Sequence, residues 1–514
     1  MQTITPAEMK ALETRFMQET GVPGILLMEH AARGVCDAVA RHVRREATVL
    51  FLCGPGNNGG DGYAAARLWQ AQGGKAVIIE LSADARGDAK INRDLALLAD
   101  IPVRLFGTED ELPPADAIVD ALFGTGLARR IEGAASHLIH CACDMRIDRG
   151  APIIAVDIPS GVDGTTGEVL GWQAITADET VTFHRIKQGL LLSDAPDYTG
   201  KITVQPILIP LGGEHDGAYG GMEVLTPADL WEDLFARPAV CHKGDFGRVA
   251  ILCGSRGMAG AAALCANAAL RTGAGLVNLL CRESLLPILQ TLSPGATCTV
   301  LPEKDGMLQP EALPLVRSAL DRADAACIGC GLGQAPDVLP LLRLFAAARC
   351  PVVWDADALT LISRMDGMLP LKEADVITPH PGEAARLLDC ETDEITEDAL
   401  AALDHLHDLC GCTVLLKGAR TLITNGIDRF CNMVASPALA KGGSGDVLAG
   451  IITALLARHL PECYDCWFDS AHAAAYGALI HGLAGLRAAK RRGENCTLPA
   501  DVVDCIRLDA QGLD

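Results

Sequence analysis

The feature that most restricts how this chain can fold is a repeated arrangement in which a short apolar, β-branched run delivers the backbone into a glycine loop and a helical segment follows. Residues 48–53 lead into Gly54-Pro55-Gly56-Asn57-Asn58-Gly59-Gly60-Asp61-Gly62 and a helical stretch over 63–72, with a second strand at 75–80. The pattern returns at 117–120 before Gly124-Thr125-Gly126, and at 153–157 before Pro159-Ser160-Gly161. It appears again at 248–253, before residues 254–260 and an alanine-rich helix reaching Thr272. Further strand–loop–helix units read at 325–333, 352–359 and 376–383, and a strand at 413–416. Strands alternating with helices predict parallel sheets covered on both faces. With 514 residues, 49% of them hydrophobic, there is material for two or three such cores.

Two stretches interrupt the alternation. After a strand at 180–183 and residues 184–192, regularity weakens through Gly200 and Pro210. The loop-rich run Gly212-Gly213-Glu214-His215-Asp216-Gly217, with Gly220-Gly221, marks the domain boundary. Residues 222–240 read as a short connector in which Thr226-Pro227-Ala228-Asp229 starts a helix. The expected division is therefore 1–220 and 222–514.

A formal net charge of −22 argues against nucleic acid and anionic membrane surfaces as partners, because a basic face would have to overcome that field. Small ligands remain, phosphorylated ones included, since backbone N–H groups and a few placed cations can hold an anion on an acidic protein. The first twenty residues lack the apolar core of a signal peptide, so a cytoplasmic location is expected. The twenty cysteines then read as reduced, mostly buried thiols. Cys463-Tyr464-Asp465-Cys466 has the spacing of half a zinc site, but no second such pair follows it, and it reads as structural.

The strongest chemical signal is Lys441-Gly442-Gly443-Ser444-Gly445-Asp446, followed at once by an apolar helical run. A glycine turn feeding a helix N-terminus is an anion site, and Asp446 places a carboxylate in the first turn beside it. Upstream, the strand at 413–416 ends at Lys417-Gly418-Ala419-Arg420-Thr421, suited to nucleotide phosphates or ribose. One hairpin fits between these two motifs. In the first region, strand ends carry Asp120 and Asp157. In an open parallel sheet these should meet Asn58 and Ser160 in one crevice, an oxygen set suited to a hard cation. Residues 54–59 also fit G-x-G-x-x-G formally, which alone would suggest a dinucleotide dehydrogenase. The asparagines and the aspartate in that loop argue for another task.

Residues 54–62, Asp120-Ala121-Leu122-Phe123-Gly124-Thr125-Gly126-Leu127 and the 155–164 segment resemble the NAD(P)H-hydrate epimerase family. That resemblance implies that Asn57, Asn58, Gly59, Gly60 and Asp61 cradle the hydrated dinucleotide together with Gly124, Thr125, Gly126, Leu127, Ala128, Arg129 and Arg130. It implies that Asp157 touches substrate as the acid or base, and that Asn58, Asp120 and Ser160 hold K+. The second region, through His242-Lys243-Gly244, Thr378-Pro379-His380-Pro381-Gly382-Glu383 and Gly443-Ser444-Gly445-Asp446, resembles the ADP-dependent NAD(P)H-hydrate dehydratases of the ribokinase-like superfamily. Here the resemblance implies that Gly260, Gly331 or Gly333, His380 and Asp446 contact the hydrate. It assigns the adenine nucleotide to Lys417, Gly418, Ala419, Arg420, Thr421 and Gly445, with Mg2+ and ADP as cofactor and co-substrate.

The expected architecture is α/β, two three-layer domains, an N-terminal Rossmann-like parallel sheet and a C-terminal ribokinase-like domain. The expected function is repair of hydrated NADH and NADPH, by epimerisation of the R and S hydrates and ADP-dependent dehydration of the S form to give AMP and phosphate. A homo-oligomer is the expected assembly. The alternative is a small-molecule kinase fused to a non-catalytic dinucleotide-sensing domain.

Overall fold

The computed structural model describes residues 1–127, 129–212, 220–229, 237–365, 367–458 and 468–508. The chain divides into two compact units, Met1–Met222 and Glu223–Asp514.

The first unit begins with helices α1 (Pro6–Thr20) and α2 (Gly24–His42). Thr5 opens α1 with a capping box: its side chain accepts from Glu8 N–H, and the Glu8 carboxylate accepts from Thr5 N–H at 2.8 Å. Then follow β1 (Thr48–Cys53), α3 (Asn57–Ala71), β2 (Lys75–Glu80), α4 (Gly87–Leu98), β3 (Val103–Leu105), β4 (Ala117–Ala121), α5 (Ala134–Arg149), β5 (Ile153–Val156), β6 (Glu179–Phe183) and β7 (Lys201–Gln205). The seven strands are all parallel, in the order β3-β2-β1-β4-β5-β6-β7. Successive side chains of β1 point to opposite faces. Val49, Phe51 and Cys53 join one apolar cluster with α2 and α3, while Leu50 and Leu52 join another with α5. That gives three layers. The order reverses between β1 and β4, which is where an open α/β sheet leaves a crevice beyond its strand C-termini.

Three expectations for local structure change. The loop expected at 54–62 is shorter, because α3 already starts at Asn57. Its glycines serve close packing instead: a Cβ on Gly59 would lie 1.8 Å from the Gly54 carbonyl oxygen. The stretch of weak regularity contains β7, a half-buried edge strand whose single neighbour blurs its alternation. Finally, 222–240 is more than a connector. Its residues 223–225 form β8 (Glu223–Leu225), too short to show a period; the helix start expected at Thr226 is a 3₁₀ turn over Pro227–Asp229, with Thr226 N–H donating to Asp229 Oδ2 at 2.6 Å, and residues 230–236 lie outside the described residues.

The second unit continues with β9 (Arg248–Leu252), β10 (Leu276–Arg282), β11 (Thr297–Leu301), the small ribbon of β12 (Glu303–Lys304) and β13 (Met307–Leu308), β14 (Ala325–Ile328), β15 (Val352–Trp354), β16 (Val376–Ile377), β17 (Thr413–Leu416), β18 (Thr421–Thr424) and β19 (Arg429–Asn432). Nine of them form one ten-stranded sheet with β8, ordered β11-β10-β9-β14-β15-β16-β17-β18-β19-β8. It is parallel from β11 to β17, and the hairpin expected between residues 417 and 442 is the antiparallel pair β18–β19. Val249, Ile251 and Cys253 pack with the helices Ala259–Thr272, Ser444–Leu456 and Ser470–Arg492, while Ala250 and Leu252 are buried toward the other face. Here the order reverses between β9 and β14. No helix among the described residues is long and apolar enough to cross a membrane. Cys463 and Cys466 lie outside the described residues.

Candidate active sites

At the switch point of the first sheet lies a cavity of about 770 Å³. Asn57, Asn58 and Asp61 reach it from the first turns of α3, Gly124, Thr125, Gly126, Leu127 and Arg129 from the loop after β4, and Asp157 from the end of β5. Gly59 and Gly60 are buried in α3 beneath this wall. Arg130 turns to Trp172, with its guanidinium 5.1 Å from the ring centroid. Ala128 lies outside the described residues.

Asp157 is held by more than its strand. Its Oδ1 accepts from Lys187 Nζ at 2.6 Å, from Thr182 Oγ1 at 3.1 Å and from Phe183 N–H at 3.2 Å. Its backbone sits at φ +66°, a left-handed conformation that non-glycine residues adopt at a cost of about 1–3 kcal/mol. Lys187 is 1% exposed, so the pair is closed off on the lysine's side while Asp157 faces the cavity. Asp61 and Glu13 stand close by. Burial, then the nearby Asp157 and Glu13 carboxylates, raise the Asp61 carboxyl well above the usual range. Burial also raises Glu13, against the pull of Lys187.

Asp120 and Ser160 meet beneath the cavity. Ser160 N–H donates to Asp120 Oδ2 at 2.8 Å and Ser160 Oγ–H to Asp120 Oδ1 at 2.6 Å, while Phe123 N–H donates to Ser160 Oγ at 2.9 Å. Both residues are fully buried, and burial pushes the Asp120 carboxyl up to about 6. Asn58 is beside them: a Cβ on Gly124 would touch its amide at 3.0 Å, and its buried Nδ2 has no hydrogen-bond partner.

In the second unit, the strand ends of β14, β15, β16 and β17 meet the N-terminus of the Ser444–Leu456 helix. Asp355, just past β15, accepts from Lys417 Nζ at 2.7 Å and from Thr378 Oγ1 at 2.8 Å, and Cys330 Sγ lies 3.5 Å from its Oδ2. Asp446 joins them, with ligand atoms of Cys330, Asp355 and Asp446 within 4.8 Å of one another. A Cβ on Gly445 would lie 3.4 Å from Lys417 Nζ, so the glycine lets the helix start settle against the lysine. Burial, then Cys330 and Asp355, push the Asp446 carboxyl up to about 8. Burial works against the Lys417 ammonium, but Asp355 and Glu383 outweigh it and hold its pKa above the ordinary value. Ser444 Oγ lies 3.1 Å from His481 Nε2, a histidine that burial pulls down to about 4 and keeps neutral at pH 7.

The remaining candidates frame this centre. His380 caps the Pro381–Leu388 helix, its Nδ1 accepting from Gly382 N–H at 3.1 Å, and its Nε2 lies 3.4 Å from Glu383, whose other oxygen is 3.9 Å from Lys417 Nζ. Gly331 and Gly333 form the turn after β14, and Gly260 is exposed in the first turn of the Ala259–Thr272 helix. Gly418 and Ala419 are exposed, whereas Arg420 turns away and donates to the Met433 carbonyl at 3.1 Å; Thr421 Oγ1 lies 3.5 Å from the Gly418 carbonyl.

Sequence reasoning missed Lys187, Glu13, Asp355, Thr378 and Glu383. Asp355 was findable by the rule that picked out Asp120 and Asp157, an acid at the end of a buried strand. Lys187 carries no such mark, because its partner is 30 residues away and only the β5–β6 pairing joins them.

Two α/β sheets, each with a Lys–Asp pair and further acidic groups at the C-terminal ends of its parallel strands, define an α/β enzyme with a candidate site in each unit. Residues 25–189 match the family model described as YjeF-related protein N-terminus, and residues 249–508 match that for NAD(P)H-hydrate dehydratase. The chain is 35% identical to the bifunctional NAD(P)H-hydrate repair enzyme Nnr of Moorella thermoacetica, over 98% of this chain and 96% of the relative. It is 38% identical to the Escherichia coli enzyme of the same name, over 89% and 84%. Among solved structures, it is similar to the ADP/ATP-dependent NAD(P)H-hydrate dehydratase of Bacillus subtilis co-crystallized with ATP/Mg2+. That match has 28% identity and a TM-score of 0.47, over 55% of this chain and 95% of the other. The chain belongs to the bifunctional NAD(P)H-hydrate repair enzyme family.

Proposed function

We propose that the two sites divide the repair of hydrated NADH and NADPH, with epimerisation in residues 1–220 and ADP-dependent dehydration of the S hydrate in residues 222–514. The observation that carries this reading is the meeting of Asp446, Asp355 and Lys417 at the start of the Ser444–Leu456 helix. A carboxylate, an ammonium and a helix N-terminus converge there, as phosphoryl transfer to a hydroxyl requires.

In the second unit, hydroxide is a poor leaving group from the reduced ring. Phosphorylation of the hydroxyl by ADP gives AMP and makes phosphate the leaving group; the ring nitrogen's electron pair expels the phosphate, and the cation left behind loses a proton from the neighbouring ring carbon to become the reduced nicotinamide. Asp446 takes the hydroxyl proton, and the backbone N–H groups of Gly442 to Gly445 stabilise charge on the transferred group. Lys417 and the Gly418 to Thr421 turn hold the adenine nucleotide, with Gly445 against Lys417. Gly260, Gly331 or Gly333 and His380 contact the hydrate. The Asp355 carboxylate suits Mg2+, which would neutralise charge on the nucleotide oxygens.

In the first unit, the 770 Å³ cavity accommodates the hydrate between the 57–61 turns of α3 and the loop after β4. Asp157 is the acid or base at the epimerised carbon, with the Lys187 ammonium fixed 2.6 Å from its Oδ1. The oxygens of the fully buried Asp120 and Ser160, with the Asn58 amide oxygen that faces Gly124, are hard ligands of the kind that suits a monovalent cation such as K+, held by Asn58, Asp120 and Ser160, which would supply fixed positive charge there.

The test is to incubate the full chain with mixed hydrate epimers, with and without ADP, and follow the return of reduced-nicotinamide absorbance. Complete recovery only with ADP is expected. Recovery of one epimer alone would remove the epimerase assignment, and a stable phosphorylated product without recovery would point to a kinase.

A further inference from the structure

Beneath the second site lies a group of thiols that neither reaction uses. Cys253 follows β9, Cys265 lies in the Ala259–Thr272 helix, Cys327 is in β14 and Cys330 is in the turn after it. None is more than 1% exposed. Their four Sγ atoms all lie within 4.8 Å of one another, and Cys265 Sγ to Cys327 Sγ is 3.8 Å.

A buried cysteine taken singly fills the room of a small apolar side chain. Four of them drawn from separate elements would then be expected to scatter through the core. Here they converge on a single point. Four sulfurs placed tetrahedrally around an ion at a bond length of about 2.3 Å stand about 3.8 Å apart. The Cys265–Cys327 separation already has that value. The others need side-chain adjustments of no more than roughly an ångström each.

The local sequence makes the same point independently. Cys327-Ile328-Gly329-Cys330 has the C-x2-C spacing of a structural zinc half-site. Gly329, at φ +127°, turns the chain so that Cys330 comes back beside Cys327. The other half comes from Cys253 and Cys265, delivered by the strand–helix unit that neighbours β14. The sheet's reversal between β9 and β14 opens the space between them.

We infer that Cys253, Cys265, Cys327 and Cys330 form a closed tetrahedral site for a thiophilic divalent ion of the zinc class. Binding breaks the four S–H bonds, sends their protons to water and forms four metal–sulfur bonds, with no oxidant involved. All four positions are taken by protein, so the ion is structural and does not activate water. It fastens β9, β14 and the Ala259–Thr272 helix into one floor under Asp355 and Asp446. Because the thiols are sealed, the ion enters as the unit folds.

The test uses the full chain, produced in cells supplied with Co2+ and purified under reducing conditions. About one cobalt per chain is expected, with intense thiolate-to-metal charge-transfer absorption and tetrahedral visible bands. An oxygen site would give neither. Cys265→Ala should abolish the absorption, whereas Cys412→Ala, a buried thiol outside the cluster, should keep it. Should Cys265→Ala be insoluble, Cys253→Ala is read in its place. Absence of the charge-transfer bands from the folded parent protein, or their survival in the cluster variant, overturns the inference and leaves four core thiols.

Discussion

Lys187 Nζ lies 2.6 Å from Asp157 Oδ1, with the lysine 1% and the aspartate 8% exposed. Glu13 and Asp61 crowd the same pair, so the ammonium is the positive charge that lets several carboxyl groups share this corner of the cavity.

Lys187→Met keeps most of the side-chain volume and removes the charge. Breaking a buried pair from one side costs about 3–5 kcal/mol. Denaturant unfolding should show this loss, together with collapse of epimerisation and retained dehydration of the S hydrate. Normal epimerisation in a destabilised variant would make Lys187 a packing residue only.

Asp446→Asn preserves size and should leave the fold of the helix start intact. Loss of a positioned base typically costs about 10²- to 10⁴-fold. ADP-dependent recovery of NADH should fall by that factor while nucleotide binding and epimerisation persist. Turnover within a few-fold of the parent would withdraw the base assignment.

The raised pKa of Asp446 sets a pH dependence. A base acts only when deprotonated, and this carboxyl sits at about 8 in the ligand-free protein. Dehydration kcat/KM should therefore climb about tenfold per pH unit below 8 and level off above it. A flat profile from pH 6 to 9 contradicts the role.

Asp120→Ala removes the carboxylate that accepts from Ser160 N–H and Ser160 Oγ–H. Stimulation of epimerisation by K+ should disappear and its rate should fall, with dehydration unchanged. An unaltered K+ response would move the cation elsewhere.

Residues 223–514 form a compact unit with their own sheet. Expressed alone, that fragment should fold, by circular dichroism and a cooperative melt, and dehydrate one epimer only. Equal consumption of both epimers would end the proposed division of labour.

The strand at Thr48–Cys53, the acids at the ends of β4 and β5 and the glycine turn before Asp446 were legible in the sequence, because apolar runs, glycines and helix starts are local signals. The hairpin between residues 417 and 442 was legible for the same reason. The three-residue β8 was not, since a strand that short has no period and is fixed by its partner β19. Lys187 meets Asp157, Lys417 meets Asp355 and four distant thiols meet under the second site only because strand order brings their carriers together. Strand order is decided by which apolar faces bury one another, a long-range property that no window of neighbouring residues contains. The sequence by itself determined which groups stand at strand ends. The tertiary structure decided which of them share a proton, a charge or a metal-sized space.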